Sequence, residues 1–333
     1  MFKLLKTLVP LLILAGLITA GYFYWQHTRL YPSTDDAYVQ ADTINIAPRV
    51  TGKVVHVFVQ DNEFVHQGQP LFDVDPTSYQ IAVAQAQAQL DETIQQIKAA
   101  SMAIESAQTI VTQRQAELAD TLSDTQRVLI MAKKHYYSQA QQDLAIKNLR
   151  VAKAALATAN SQLAEAIQTR GDPGPTNAQL RAAEAALAQT KLDLHNTHIV
   201  APADGYIANF DLRTGAVATA YHPLFALIED QRWWVQANFK ETQLQRIAPG
   251  QQATIANDMY PHQIFRGMVH SISDGSGSSF SLLPPENASG NWVKVTQRFP
   301  VKVIITTRYA KYPLRLGASC TVTVNTTPPA SAT

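Results

Sequence analysis

The sequence predicts an elongated α+β chain. It has an N-terminal transmembrane helix, a long α-helical coiled-coil hairpin inserted into a small split β-sandwich, and a C-terminal β segment. Three observations predict this. An uncharged run of 22 residues, Thr7–Thr28, stands close to the N-terminus. All 14 glycines and 17 prolines lie outside residues 77–170, leaving 94 consecutive residues with neither. A short strand-like pattern occurs twice, 153 residues apart, once on each side of that stretch.

Composition narrows the function classes. At ~100–200 residues per domain, 333 residues allow two or three domains. Only 16% of residues are charged, against ~25% in a typical soluble chain. The 27 basic and 26 acidic residues give a net charge of +1, which carries no electrostatic footprint for nucleic acid. Cys320 is the single cysteine, so intrachain disulfides and multi-cysteine metal sites are excluded.

The run at residues 7–28 is long enough for a helix crossing a hydrocarbon core, which needs ~20 residues. Lys3 and Lys6 precede it, and Asp35 and Asp36 follow. The positive-inside rule therefore puts residues 1–6 in the cytoplasm and the bulk of the chain outside. Tyr22, Phe23, Tyr24 and Trp25 cluster where the helix would leave the bilayer. The alternative is a cleaved signal peptide, but Ile18-Thr19-Ala20 is a poor small-x-small site. No other apolar stretch approaches this length, so one span is expected.

Residues 76–195 predict the hairpin. Asp75 suits an N-cap and Pro76 the first helical position. Val83, Leu90, Ile97, Ile104, Val111 and Leu118 recur at seven-residue steps, with Ile94, Ser101, Gln108, Gln115 and Leu122 as the companion row. Leu149, Leu156 and Leu163 repeat the step later, interleaved with Ala152, Ala159 and Ala166. Such rows are coiled-coil seams, although a globular helical bundle is the alternative. The turn is expected at residues 132–137, because Ser138 and Gln141 form a capping-box pattern. The first helix then spans about 78–131, and the second ends near Thr169. Residues 171–175 break the return helix. Thr176 with Gln179 restarts it, and Leu180, Leu187 and Leu194 follow in a new phase.

The repeated pattern fills residues 46–75 and 196–230. Gly52 precedes Pro70-Leu71-Phe72 by 18 residues, and Gly205 precedes Pro223-Leu224-Phe225 by the same 18. Alternating apolar residues and turn-rich middles predict short strands, two halves of one sandwich. Residues 231–325 read as β, with strands at Ala253–Ala256, Val301–Thr306 and Cys320–Val324 and a short helix at Lys240–Ile247. Residues 29–45 are read as a linker and a strand. Ser273–Gly290 is a long Ser- and Gly-rich loop, and residues 326–333 form a tail.

The two halves resemble the split lipoyl-like domain of bacterial membrane fusion proteins, the haemolysin-D-type periplasmic adaptors. The run Thr197-His198-Ile199-Val200-Ala201-Pro202-Ala203-Asp204-Gly205 carries the same resemblance. The EmrA-type branch of multidrug efflux adaptors is matched by Thr34–Val39, Asn238–Gln243, Phe280–Pro284 and Gly290–Val295. The resemblance covers nearly the whole chain in the same order. It implies that residues 231–325 form a β-barrel completed by the strand near Tyr38–Ile46. It also implies an inner-membrane, single-pass adaptor with its bulk in the periplasm of a Gram-negative bacterium. The implied partners are an inner-membrane transporter of the major facilitator type, a TolC-like outer-membrane channel and copies of the chain itself in a ring, commonly of six. An adaptor for protein secretion by an ATP-driven exporter is the alternative.

In that family the hairpin tip docks on the channel through Arg, three residues, Leu, six residues, then Ser or Thr. Here the spacing falls on Arg127, Met131 and Ser138, with Met for Leu. The plainer reading is that Ser138 only caps and Arg127 is only solvated. Carriers of lipoate or biotin hold a modified lysine at the turn between the halves. Asp73-Val74-Asp75-Pro76 has none, so no cofactor is expected. His195 and His198 are read as structural rather than metal-ligating. Of Trp233 and Trp234, one is expected in the core and the other at an interface. No nucleophile–base pair, P-loop or paired-carboxylate pattern suggests an enzyme.

Overall fold

A computed structural model of the chain describes residues 17–19, 21–277 and 296–327. Within the predicted anchor, residues 7–16 and 20 lie outside the described residues, as do the runs Phe280–Pro284 and Gly290–Val295. Residues 21–30 are helical, and among the described residues no helix is long and apolar enough to cross a membrane.

The two copies of the repeated pattern interlock. The first supplies β2 (Gly52–Val57), β3 (Phe64–Val65) and β4 (Pro70–Val74). The second supplies β5 (His198–Val200), β6 (Gly205–Ala208) and β7 (Val217–Ala218). Three of the pairings cross between copies: β2 with β7, β3 with β6 and β4 with β5, all antiparallel. Phe72 and Phe225, equivalent positions of the two copies, meet edge to face with ring centroids 6.0 Å apart. They join Val54, Leu71, Val74, Ile207 and Leu227 in one buried core. The equivalent glycines are required by close approach. A Cβ on Gly52 would meet Val74 Cγ1 at 2.5 Å, and one on Gly205 would meet the Ile228 carbonyl oxygen at 2.2 Å.

Two long strands run from this sandwich into a closed barrel. They are β1 (Ser33–Ile46) and β8 (Phe225–Lys240). The circuit is β1, β12 (Ser319–Val324), β9 (Gln252–Asn257), β10 (Ile264–Ile272), β11 (Arg298–Ile305), β8 and back to β1. Closure leaves no unpaired edge in the ring. The pairing of β1 with β8 shifts register between Ala41 and Thr43. On one side of that irregularity the two strands line the barrel core around Phe239, Phe265 and Val303. On the other they belong to the sandwich. The short helix expected at Lys240–Ile247 is a 3-10 turn over Glu241–Arg246.

The helical arm is α1 (Thr77–Lys133), α2 (Gln139–Arg170) and α3 (Ala178–His195), with α1 packed against both of the others. At 1.5 Å per residue the 57 residues of α1 span ~85 Å. The row from Val83 to Leu118 faces inward and continues through buried Thr125 and Ala132. The companion row lies one residue earlier than expected, at Ala86, Thr93, Ala100, Ala107, Arg114, Thr121 and Val128. Small Ala and Thr there admit a close neighbour, whereas Ile94 and Leu122 stay exposed. Two caps also differ from expectation. Pro76 takes the N-cap of α1, and Asp75 binds instead the N–H (3.0 Å) and hydroxyl (2.6 Å) of Thr77. At the break, the cap of α3 is Asn177 rather than Thr176. Its buried side chain accepts from the N–H groups of Gln179 and Leu180 and donates to the carbonyls of Arg170 and Asp172. Four bonds from one amide outcompete a hydroxyl.

Candidate docking site at the hairpin tip

The tip is built from two helix ends that satisfy each other's backbone. α1 ends in a Schellman motif: the Tyr136 N–H donates to the Met131 carbonyl at 3.2 Å, and the His135 N–H to the Ala132 carbonyl at 2.9 Å. The left-handed position is taken by His135, at φ 63°, where a glycine is usual. This is how the turn forms in a stretch without Gly or Pro. Ser138 then opens α2 with a complete capping box. Its hydroxyl accepts from the Gln141 N–H at 3.3 Å, and the Gln141 side chain accepts from the Ser138 N–H at 2.8 Å. Below the turn, buried Thr125 donates to the carbonyl of Thr121 on its own helix and reaches Ala145 on α2 at 3.3 Å.

The expected site residues fall on this frame. Arg127 is exposed and, among the described residues, paired only with Asp124, three residues back and equally exposed. Such a surface pair contributes little, so the guanidinium is easily exchanged to another acceptor. Met131 is 44% exposed and lies one turn beyond Arg127. Both line an open groove of about 440 Å³ with Asp124, Val128, Ile130 and Tyr137. A second groove of about 500 Å³ continues across Tyr137 towards Gln141 and Leu144. Ser138 lines neither groove; it sets the direction of α2. The arrangement gives an arginine fork, an exposed carboxylate and an apolar patch of Ile130, Met131, Tyr137 and Leu144. That composition suits protein recognition. Sequence reasoning missed Thr125 and Tyr137. The signal for Thr125 was available, since it stands seven residues after Leu118.

His198 Nδ1 lies 2.9 Å from Asp73 Oδ1 across the β4–β5 pair, and His195 closes α3. Trp233 is buried and donates its indole N–H to Asp230, whose carboxylate also holds Arg308. Trp234 lies under Lys302, whose Nζ sits 3.9 Å from the ring centroid. The Thr77 hydroxyl and N–H beside Asp75 hold its carboxyl below the usual range. The Arg114 guanidinium does the same for Glu117.

The barrel-sandwich hybrid domain of RND membrane fusion proteins matches residues 42–229, and the AAEA-like β-barrel domain matches residues 232–325. The chain belongs to the membrane fusion protein family. The multidrug export protein EmrA of Haemophilus influenzae is 31% identical over 331 residues, covering 97% of this chain and 83% of its own. The multidrug resistance protein MdtN of Shigella flexneri is 36% identical over 310 residues, covering 89% and 90%. A MacA–MexA chimera carrying the Pseudomonas aeruginosa MexA α-hairpin superposes with a TM-score of 0.50 at 14% identity, covering 89% of this chain and 82% of its own. That last likeness concerns the fold. The chain is thus a membrane fusion protein, and relatives that match most of its length are named for multidrug export and multidrug resistance.

Proposed function

We propose that this chain is the periplasmic adaptor of a tripartite pump, joining an inner-membrane transporter to a TolC-like outer-membrane channel through Arg127, Met131 and Ser138. In this reading residues 7–28 anchor it in the inner membrane with the N-terminus in the cytoplasm. The transporter is of the major facilitator type, and copies of the chain form a ring, commonly of six. Drugs or toxic compounds leave through the assembled conduit. Exposed Ile94, Met102, Ile110 and Leu122 along α1 are consistent with neighbouring hairpins covering them. The observation that carries the reading is the tip itself. A weakly held arginine stands beside an exposed apolar patch, on a turn fixed by a Schellman motif and a capping box.

Arg127 donates up to five hydrogen bonds in a planar fork, suited to carbonyls or carboxylates at a channel mouth. In a ring every subunit repeats the contact, so a modest loss per subunit multiplies. Arg127→Asp is expected to abolish drug resistance and cross-linking to the channel while leaving expression and transporter binding intact. Arg127→Lys is expected to be partly defective, because lysine lacks the bidentate geometry. Normal efflux and normal cross-linking by Arg127→Asp would place the channel contact elsewhere on the hairpin.

A further inference from the structure

A groove of about 470 Å³ opens on the outer wall of the barrel, beside the end of the N-terminal helix. The helix over residues 21–30 is tied to the barrel where it stops. The Leu30 carbonyl accepts the Thr326 N–H at 3.1 Å and the Thr326 hydroxyl at 2.8 Å, and the Pro32 carbonyl accepts the Val324 N–H at 3.0 Å. Tyr31, the next residue, lines the groove. The floor is a cross-strand row. Ser33 on β1 pairs with Thr323 on β12, Thr323 with Thr254 on β9, and Thr254 with Arg266 on β10. Directly paired residues share a face, and three strand spacings put Arg266 ~14 Å from the start of β1. Gln252 and Asn325 lie one step nearer the helix, the Asn325 N–H donating to the Gln252 carbonyl at 2.9 Å.

The electrostatics of this groove are one-sided. Arg266 is exposed, and among the described residues its guanidinium has no ion pair and no hydrogen bond. Among the described residues, no aspartate or glutamate lines the groove. Arg298 and Arg308 of the same barrel are, by contrast, paired with Asp36 and Asp230. The adjoining helix exposes Tyr22, Phe23, Tyr24 and Trp25, with Arg29 stacked over Trp25 at 4.7 Å. Aromatic and arginine residues of this kind settle at a membrane–water interface.

We propose that this groove binds the phosphate of an anionic membrane lipid, with Arg266 as the charged donor and Tyr31, Gln252 and Asn325 as neutral ones. A phosphate diester takes two parallel charge-assisted bonds from a guanidinium. Tyr31 has the amphipathic ring that sits at headgroup level. The exposed, apolar Met268 also lines the groove and suits the glycerol edge of a lipid. The contact would hold the barrel at a fixed attitude to the bilayer and so aim the hairpin. It rests on the anchored topology proposed above.

The test uses the full chain purified in detergent and native mass spectrometry of retained lipid. Phosphatidylglycerol is expected to be retained, and diacylglycerol with the same chains is not. Arg266→Gln is expected to lower phosphatidylglycerol retention about fivefold, the contribution of one basic side chain near a membrane surface. Arg266→Lys should keep only part of it, since lysine keeps the charge but not the bidentate fork, and Arg232→Gln, at another exposed arginine, should leave it unchanged. Equal retention by Arg266→Gln and the unsubstituted chain overturns the proposal. Complete displacement by inorganic phosphate at the lipid's own concentration would assign the groove to a free anion and also overturn it. Failure of the anchored topology is read separately, as unsubstituted chain in the soluble fraction of cells.

Discussion

Single residues at the tip and in the barrel carry measurable consequences. His135 holds a left-handed backbone at φ 63°. An L-residue there costs roughly 1–2 kcal/mol, which glycine avoids, although glycine also gains freedom in the unfolded chain. We expect His135→Gly to stabilise the hairpin by ~0.5 kcal/mol net and His135→Val to destabilise it, as followed by thermal loss of helical circular dichroism. Identical midpoints for the two variants would contradict the Schellman assignment. Cys320 is a second case. It is 1% exposed, and burial, followed by the Asp258 carboxylate, pushes its thiol from the ordinary 9.0 to about 12. The native chain should therefore resist a maleimide at neutral pH and react once unfolded. Because folding raises this pKa, the native state holds the proton more tightly than the unfolded one. The associated stability is full below about 9 and is lost as pH rises towards about 12. A denaturant midpoint that stays flat across that window would contradict the burial of this thiol.

At the scale of elements, the hairpin depends on small residues on its seams. Ala159 is 3% exposed and falls on the interleaved alanine row of α2 facing α1. We expect Ala159→Leu to force the helices apart at a cost of ~1–3 kcal/mol. Ala157→Leu, two residues away on the exposed side, should be close to neutral, since leucine is a good helix former. Paired thermal melts compare the two, and equal effects would refute the seam. Much of this element was legible. The 94 residues without Gly or Pro, the Ser138–Gln141 pair and the inward rows all follow from propensity and period. The displaced companion row was not, because two candidate rows differ by one residue and only the partner helix selects between them. Asn177 was missed for a related reason. Its four hydrogen bonds include carbonyls five and seven residues back, which meet it only after the break has folded.

At the scale of the whole molecule, the anchored topology has a direct test. A reporter that is active only in the periplasm, fused after Thr333, should report activity, because Lys3 and Lys6 flank the uncharged run on its N-terminal side. A cytoplasmic signal, or a mature chain starting near Gly21, would overturn the topology. The order of modules was written in the sequence, because hydropathy, heptad period and the 153-residue repeat are local or translational patterns that survive without knowledge of contacts. The Ser138–Gln141 capping pair placed the turn, and the spacing implied by the family resemblance put Arg127, Met131 and Ser138 around it. The sequence did not reveal that β1 and β8 each pass through both the sandwich and the barrel, nor that the strands of the two copies pair with each other. It also gave no sign that Ser33, Thr323, Thr254 and Arg266 form one row beside the helix end. Those relations join residues up to 290 positions apart, as in the Ser33–Thr323 hydroxyl contact at 3.0 Å. Local preference fixes which segments become strands or helices. Which strands meet is decided by burying one shared face and closing one ring of hydrogen bonds, and that decision belongs to the folded chain as a whole.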